Sequence, residues 1–234
     1  MPSGGHVSYG AESMTSPKPV FESRMTFEQY LAFEERSMCR HEFIDGRIYA
    51  MTGGTRGHHR ASFNIAMRFH LSTGGRGCEV FHNDFKIVTP RGNAYYPDVV
   101  LACAEPITNE ARFVSDPCLI VEVLSPSTRR TDEGEKRWAY QEIPSLEAYW
   151  IVEATWRGVE RHWRDTTGAW CVESLHGAGT ILVPCLEAAV TLDQMYEGVD
   201  VPGEPPRARL RRVREPDGDD TSDDAPEDVP EYAD

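Results

Sequence analysis

The sequence predicts one domain of the α/β or α+β class, and three observations support this prediction. The chain has 234 residues, 40% of them hydrophobic and 10% aromatic, which suits a single globular domain of ordinary burial. The segments 97–102 and 118–124 are almost continuously apolar, which is typical of strands covered on both faces. Other segments repeat apolar residues at intervals of three and four, as helices with one buried face do.

The first predicted elements are a short helix and a β-hairpin. Thr26 can cap a helix whose apolar residues recur at helical spacing. The strand-like segments 41–44 and 47–51 flank Asp45 and Gly46. This pair tolerates the positive φ angles that a tight hairpin turn requires, so it predicts the turn.

A second helix is predicted from His58 to about Leu71, and a glycine-rich run over 74–77 ends it. Its apolar stripe consists of Phe63, Ala66, Met67 and Leu71. His59 precedes this stripe by one helical turn, so we expect it on the packed face, toward the core or a cleft. A single histidine in such a position is also typical of a core residue with satisfied hydrogen bonds.

The remaining elements are strands and one crossover helix. The strands are predicted at 79–82, 85–89, 97–102, 118–124, 148–153, 158–164, 170–175 and 180–183. A helical stretch from about Asp132 to Glu142 separates two of them, as a crossover between sheet strands would. We expect the folded domain to span 25–200. The segments 1–24 and 201–234 are predicted to be disordered, because Ser, Gly and Pro dominate the first, and Arg and then acidic residues dominate the second.

The formal net charge of -14 does not exclude nucleic acid as a partner. Residues 215–234 hold ten acidic and no basic residues, and the rest of the chain has 28 acidic against 24 basic residues, a net charge of -4. We interpret the acidic end as a solvated tail that keeps the protein soluble. The alternative is a tail that covers a basic site.

Composition also bears on the cellular location. No apolar stretch approaches the roughly 20 residues of a membrane-spanning helix, and the first residues lack the apolar core of a signal peptide. The sequence therefore predicts a cytoplasmic protein with no membrane partner. Its 6 cysteines include no C-x-x-C pair, which predicts reduced, mostly packed thiols rather than a zinc site or a dense disulfide framework.

Each of the two most apolar segments contains one carboxylate. Asp98 begins one segment and Glu122 interrupts the other. An ionised carboxylate among apolar neighbours is costly unless it is paired or binds a metal. If the two strands are neighbours the acids can converge, and one Asp plus one Glu is a typical ligand set for Mg²⁺ or Mn²⁺ in phosphodiester hydrolysis. The alternative is structural, with an arginine partner for Asp98 and a hydrogen-bond network around Glu122.

Further side chains are candidates for the same site. Lys136 shares a helix face with Tyr140, and an ammonium there can hold the attacking water or stabilise charge on the phosphate. Alternatively, Lys136 buries its stem and keeps its charge in solvent. Glu42 in the hairpin can support His59 or Lys136, or it can be a solvated or cross-strand charge. The candidate phosphate contacts are Arg60, Arg129, Arg130 and Arg137, although exposed arginines are common.

Several motifs, taken together, resemble one family. They are Tyr96-Pro97-Asp98-Val99-Val100, the run 119–128, Lys136 with Tyr140, and Glu147-Ala148-Tyr149-Trp150-Ile151-Val152, preceded by Glu42-Phe43-Ile44-Asp45-Gly46 and His58-His59-Arg60. Over residues 25–197 the sequence resembles the Uma-two family of restriction-endonuclease-like proteins, in the PD-(D/E)xK nuclease superfamily. The resemblance implies a restriction-endonuclease-like core, with a mixed central β-sheet flanked by helices and an N-terminal helix and β-hairpin.

The resemblance also implies roles for the candidate residues. Asp98 is the metal-binding aspartate of the PD motif, and Glu122 is the metal-binding acid of the next strand. The lysine of the superfamily falls two residues after that acid, where this sequence has Leu124, which cannot hold water or stabilise an anion. Lys136 is its natural substitute, and His59 supplies the contribution that a glutamate of the core helix often makes.

The sequence thus predicts a Mg²⁺- or Mn²⁺-dependent endonuclease that hydrolyses DNA, with the acids, the lysine and the supporting residues in these roles. Two alternatives stay open. An inactive nuclease-fold module that binds nucleic acid or protein is favoured by Leu124 and by the near-neutral body. Hydrolysis of a small phosphoester would use the same site without salt-sensitive DNA binding. A homodimer is expected by analogy with nucleases that cut both strands.

Overall fold

The computed structural model describes residues 18–21, 23–51, 53–103, 106–124 and 132–205. The expectations for Arg129, Arg130 and the acidic tail lie outside these residues. None of the helices in the described ranges has the length and apolar composition that crossing a bilayer requires.

The element order follows the predicted order. The helices are α1 (Phe27–Glu34), α2 (Arg56–Ser72), α3 (Arg137–Gln141, after a π-helical turn at Asp132–Lys136) and α4 (Leu192–Met195), with a 3-10 turn at Pro184–Leu186. The strands are β1 (His41–Ile44), β2 (Arg47–Ala50), β3 (Glu79–His82), β4 (Lys86–Val88), β5 (Ala94–Tyr95), β6 (Val99–Ala102), β7 (Phe113–Val114), β8 (Leu119–Leu124), β9 (Ala148–Glu153), β10 (Gly158–Arg164), β11 (Trp170–His176), β12 (Thr180–Val183) and β13 (Ala188–Thr191). The short elements β5, β7, β13 and α4 were not predicted, because so few residues carry no periodicity.

The structure of the first elements confirms the predicted helix cap at Thr26 and the predicted hairpin turn at Asp45 and Gly46. The Gln29 amide donates to Thr26 Oγ1 at 3.2 Å, and the Thr26 amide donates to the Gln29 side chain at 2.8 Å, which closes a capping box. Asp45 and Gly46 have φ angles of 49° and 81° and connect β1 to β2. The hairpin places Glu42 on β1.

Two larger sheets form the domain. The central sheet has six strands in the order β11-β10-β9-β8-β6-β3, in which β8 and β9 are parallel and the other pairs antiparallel. The parallel pair requires a crossover, and α3 lies in the connection between β8 and β9. The second sheet has the order β2-β1-β5-β4-β7, and β12 pairs with β13. This mixed α+β architecture is the predicted fold class.

The middle strands of the central sheet are covered on both faces, as the apolar runs predict for β6 and β8, and every residue of β6, β8 and β9 is buried. Alternate residues of a strand point to opposite faces. Val121 and Val123 pack in the cluster that contains α2, whereas Ile120 and Leu124 pack in the cluster that contains α3 and part of the second sheet. Glu122 belongs to the second face, so its carboxylate lies in the interior on the α3 side.

The packed face of α2 differs from the predicted stripe. The buried residues of this helix are Ala61, Ser62, Ile65, Ala66 and Phe69. Phe63, Met67 and Leu71 are exposed. His59 is also exposed, which corrects its expected position toward the core or a cleft. The row at 61, 65 and 69 and the row at 63, 67 and 71 are about 200° apart on a helix, so periodicity alone could not choose between them.

The cysteines differ from the expected reduced thiols. The disulfides are Cys78–Cys103 and Cys118–Cys185. Cys39 and Cys171 are the free thiols of the described residues. The paired residues are 25 and 67 positions apart in sequence, so no local spacing signals them and only the folded sheet brings them together.

Candidate active site

The two predicted carboxylates lie at neighbouring strands. β6 and β8 are antiparallel with Val99 opposite Val121, and Asp98 directly precedes β6, whereas Glu122 lies within β8. The Val123 amide also donates a hydrogen bond of 2.7 Å to Asp98 Oδ2, which ties this carboxylate to β8.

Glu122 lies in a buried cluster with Lys136, Tyr140 and Glu42. Lys136 Nζ lies 3.2 Å from Glu122 Oε1 and 2.8 Å from Glu42 Oε1. The Tyr140 hydroxyl donates to the same Glu122 oxygen at 2.7 Å. The side chains of Lys136 and Glu122 are only 6% and 4% exposed. The turn before α3 and α3 itself therefore direct one ammonium and one hydroxyl at the acid of β8.

Electrostatics accounts for this arrangement. One ammonium lies between two carboxylates, and such pairing offsets part of the cost of removing the charges from water. Burial holds the pKa of the Tyr140 hydroxyl well above its usual range, and the Glu122 carboxylate raises this pKa further. The hydroxyl therefore stays protonated and donates. The alternatives of a solvated Lys136 charge and a solvated Glu42 are therefore wrong, since both side chains are buried and paired.

Asp98 is contacted by a histidine that the sequence analysis did not select. His58 Nε2 lies 3.2 Å from Asp98 Oδ1, and the His58 side chain is 12% exposed. His59 is exposed, and its ring lies 5.3 Å from that of His58, centroid to centroid. Successive residues of a helix point about 100° apart, so only one of the two histidines can face Asp98. His58 occupies the place that we expected for His59.

His82 lies near Asp98 on β3, which pairs with β6 on the edge opposite β8. It ends β3, and the amide of the next residue, Asn83, donates to the Asp98 carbonyl oxygen at 3.0 Å. Its Nε2 lies 3.1 Å from Ser62 Oγ. Burial lowers the pKa of His82, and the opposing effect of the Asp98 carboxylate is smaller. His82 is therefore a neutral ring at neutral pH and brings no positive charge to Asp98.

Leu124 lies where the family resemblance implies a lysine. It is 2% exposed and packs in the apolar cluster with Tyr140. Lys136 instead brings its ammonium to Glu122 from the turn before α3. A positive charge is thus present beside the acid although the strand provides none.

The described candidate arginines lie on two helices. Arg60 is exposed on α2 and Arg137 is partly buried on α3. The guanidinium carbon of Arg137 lies 5.3 Å from the centre of the Trp138 ring, and Trp138 is 65% exposed. Trp138 is not among the site residues predicted from the sequence, because a tryptophan in a helical segment usually packs in the core. An exposed ring beside a cation can contact an unstacked base and a phosphate together.

The carboxylates suit a hard divalent cation. Mg²⁺ is commonly held by one or two carboxylates, with water and phosphate oxygens at its other positions. Asp98 and Glu122 offer such a pair. The described residues include no group of three or more His, Cys, Asp or Glu side chains that could hold a metal ion. A metal here would therefore depend on two protein carboxylates and take its other ligands from water and substrate.

The fold is similar to the crystal structure of a "putative nuclease belonging to DUF820" from Anabaena variabilis. The TM-score is 0.61 at 13% sequence identity, and the match covers 74% of this chain and 97% of that one. The mixed sheet with its crossover helix places the protein in the class of restriction-endonuclease-like folds. The model of the Uma2 family, described as "Putative restriction endonuclease", matches residues 27–194. The chain belongs to this family.

Two relatives come from Synechocystis. The uncharacterized protein slr1290 is 32% identical over 190 residues, which cover 81% of this chain and 98% of the relative. The uncharacterized protein sll1609 is 32% identical over 156 residues, which cover 65% of this chain and 88% of the relative. Both similarities span most of the length of the relative.

Proposed function

We propose that the protein is a divalent-metal-dependent nuclease that hydrolyses phosphodiester bonds of DNA. The observation that carries this proposal is the buried Lys136 ammonium at the Glu122 carboxylate, one strand away from Asp98. Two carboxylates and an ammonium supply the metal ligands and the positive charge that phosphodiester hydrolysis requires. The description of the family supports the same class of reaction.

Asp98 and Glu122 would hold Mg²⁺ or Mn²⁺, which when bound neutralises phosphate charge and lowers the pKa of a coordinated water. The protein orients both carboxylates in advance. The Val123 amide and His58 fix Asp98 through its two different oxygens. Tyr140 and Lys136 fix Glu122 through Oε1. Such preorganisation avoids the cost of ordering the site during the reaction.

Lys136 would act on the attacking water or on a phosphate oxygen. Its ammonium is held between Glu42 at 2.8 Å and Glu122 at 3.2 Å, in a site nearly closed to solvent. In such a setting a positive charge stabilises a developing anion more strongly than it does in water. Glu42 supports Lys136 by holding its ammonium in place at 2.8 Å, rather than supporting His59.

DNA is the proposed substrate because cationic and aromatic groups lie on the helices that carry the site. Arg60 and Arg137 can contact phosphates, and the exposed Trp138 beside Arg137 can stack on a base. A homodimer is proposed as well, because two copies related by symmetry can place one site on each strand of a duplex.

The test is nicking of supercoiled plasmid by the wild type and by Asp98→Asn with Mn²⁺, Mg²⁺ or EDTA. We expect nicking that requires the metal and falls by about 100-fold or more in the variant, which loses a ligand charge. Asp116→Asn is the matched control, because Asp116 is exposed and precedes β8, at the end of that strand away from Glu122. Equal nicking by the wild type and Asp98→Asn would assign the activity to a contaminant.

An inactive nuclease-fold module is the second candidate, and Leu124 is the observation that favours it. In an inactive module of this kind, Lys136 would have only a structural role as the charge between Glu42 and Glu122. Calorimetric titration with Mn²⁺ separates the two candidates. Absence of nicking together with absence of Mn²⁺ binding would favour the inactive module, whereas Mn²⁺ binding that Asp98→Asn abolishes supports the nuclease.

The two adjacent histidines give a further prediction. We expect His58→Gln to lower the nicking rate by about 10-fold, because it removes the group that orients Asp98, and changes to such supporting groups commonly cost 10- to 100-fold. His59→Gln should leave the rate unchanged, because His59 is exposed. Both rates are measured on the same plasmid with Mn²⁺. A larger loss in His59→Gln than in His58→Gln would contradict the assignment.

A further inference from the structure

Four of the six cysteines meet at one end of the central sheet. Cys78 directly precedes β3, Cys103 follows β6, Cys118 directly precedes β8, and Cys185 lies in the 3-10 turn. Asp98 precedes β6 and Cys103 follows it, so the cysteine cluster and the carboxylate site lie at opposite ends of this strand. The cluster is therefore a feature separate from the proposed nuclease site.

The two disulfides touch each other. Cys118 Sγ lies 3.6 Å from Cys103 Sγ, and these two atoms belong to different disulfides. The four sulfur atoms thus form a continuous chain from Cys78 through Cys103 and Cys118 to Cys185. Disulfides change partners when a thiolate attacks a sulfur of another disulfide, so two disulfides in contact can exchange once one of them is opened.

Burial differs along this chain of sulfurs. Cys118 is 7% exposed, whereas Cys78, Cys103 and Cys185 are partly exposed. Cys185 also lies next to Pro184, which is exposed. An external thiol therefore reaches Cys185 more readily than Cys118, and its attack on Cys185 releases Cys118 as the thiolate.

We propose that these four cysteines form a thiol–disulfide exchange centre that accepts two electrons from an external dithiol. A thiolate of the dithiol attacks Cys185 Sγ and breaks the Cys118–Cys185 bond. The Cys118 thiolate then attacks Cys103 Sγ, forms a Cys103–Cys118 bond and expels Cys78 as a thiolate, which takes a proton from water. The second thiol of the dithiol releases Cys185, and the dithiol leaves as its own cyclic disulfide.

The exchange changes which segments are tied together. The reduced protein keeps one disulfide, between the ends of β6 and β8, and gains thiols at Cys78 and Cys185. The 3-10 turn is then no longer linked covalently to the sheet. It lies between β12 and β13, whose buried residues pack in the same cluster as α2.

Disulfide mapping tests the proposal on the full chain carrying Cys39→Ser and Cys171→Ser, which remove the other two thiols. The air-oxidised protein receives one molar equivalent of dithiothreitol and is quenched with N-ethylmaleimide in denaturant, and its peptides are mapped without reduction. We expect a Cys103–Cys118 linked peptide, with the maleimide on Cys78 and Cys185. A retained Cys78–Cys103 link with the maleimide on Cys118 and Cys185 would overturn the proposal.

A second variant tests the central step without reductant. Cys185→Ser, made in the same background, leaves Cys118 as a free thiol from the start. The Cys103–Cys118 link should then form spontaneously and leave Cys78 to react with the maleimide. A variant that shows only the Cys78–Cys103 link would contradict the exchange. So would maleimide on all four cysteines of the untreated parent, or one bound zinc ion per chain, because the cluster would then consist of thiols or metal ligands.

Discussion

The Glu122→Gln variant is expected to lose plasmid nicking by about 100-fold or more while it keeps its fold. The amide has the size of the carboxylate, and its oxygen can still accept the hydrogen bonds from Tyr140 and Lys136. It lacks the negative charge that holds a divalent cation. Initial nicking rates with Mn²⁺ measure the loss, and thermal unfolding of the same preparations measures the fold.

Glu34→Gln is the matched control for this prediction. Glu34 is also buried and accepts hydrogen bonds from the Tyr96 hydroxyl at 3.0 Å and from the His41 amide at 2.9 Å, but it lies outside the cluster around Lys136. Its variant should nick at close to the wild-type rate. If Glu122→Gln also nicked at that rate, Glu122 would have no part in binding the metal.

Replacement of Lys136 is expected to have the largest effect on stability. Lys136→Met leaves Glu42 and Glu122 buried near one another without the ammonium that lies between them. Breaking a buried ion pair by removing one partner typically costs about 3–5 kcal/mol, and we expect the free energy of unfolding to fall by that amount. Urea denaturation measures it, and nicking should be lost in the same variant under conditions where it is still folded.

Lys86 is the control for this prediction, because it is also a buried lysine but does not belong to the cluster around Glu122. Lys86 is 9% exposed, and its ammonium donates to the Arg112 carbonyl oxygen at 3.3 Å and lies over the Tyr96 ring. Burial lowers the pKa of Lys86, which shows that its charge is held at a cost. Lys86→Met should therefore leave the free energy of unfolding unchanged or raise it.

A second substitution separates charge from packing at Lys136. Removing one of the two carboxylate charges with Glu42→Gln, in the Lys136→Met background, should recover part of the lost stability but not the nicking activity. No recovery would mean that Lys136 stabilises the protein through the packing of its stem. Full nicking activity in folded Lys136→Met would exclude this ammonium from the reaction.

The fold followed from local patterns. The continuous apolar runs predicted β6 and β8 and their burial on both faces, and Asp45-Gly46 predicted the hairpin. These signals are strong because the residue types are dictated by the immediate backbone and by burial. The two acids could be selected for the same reason, since a carboxylate inside an apolar strand is costly and calls for a partner.

The buried face of a helix and the contact partners of the site residues did not follow from local patterns. The helix α2 offers two apolar rows, and only its contact with the central sheet buries Ile65 and Phe69 while it exposes Phe63 and His59. The same rotation turns His58 toward Asp98. A periodicity gives the spacing of a face but not its direction, because the direction is set by the element against which the helix packs.

The sequence by itself determined the order of the elements, the apolar strands and the presence of Asp98, Glu122 and Lys136. The tertiary structure alone decided that Glu42 and Glu122 share one ammonium, and that four distant cysteines meet at the opposite end of β6. The physical reason is the separation in sequence of the residues that interact. Secondary structure depends on neighbours a few residues apart, whereas a site is assembled from side chains whose distance is fixed only when the sheets pack.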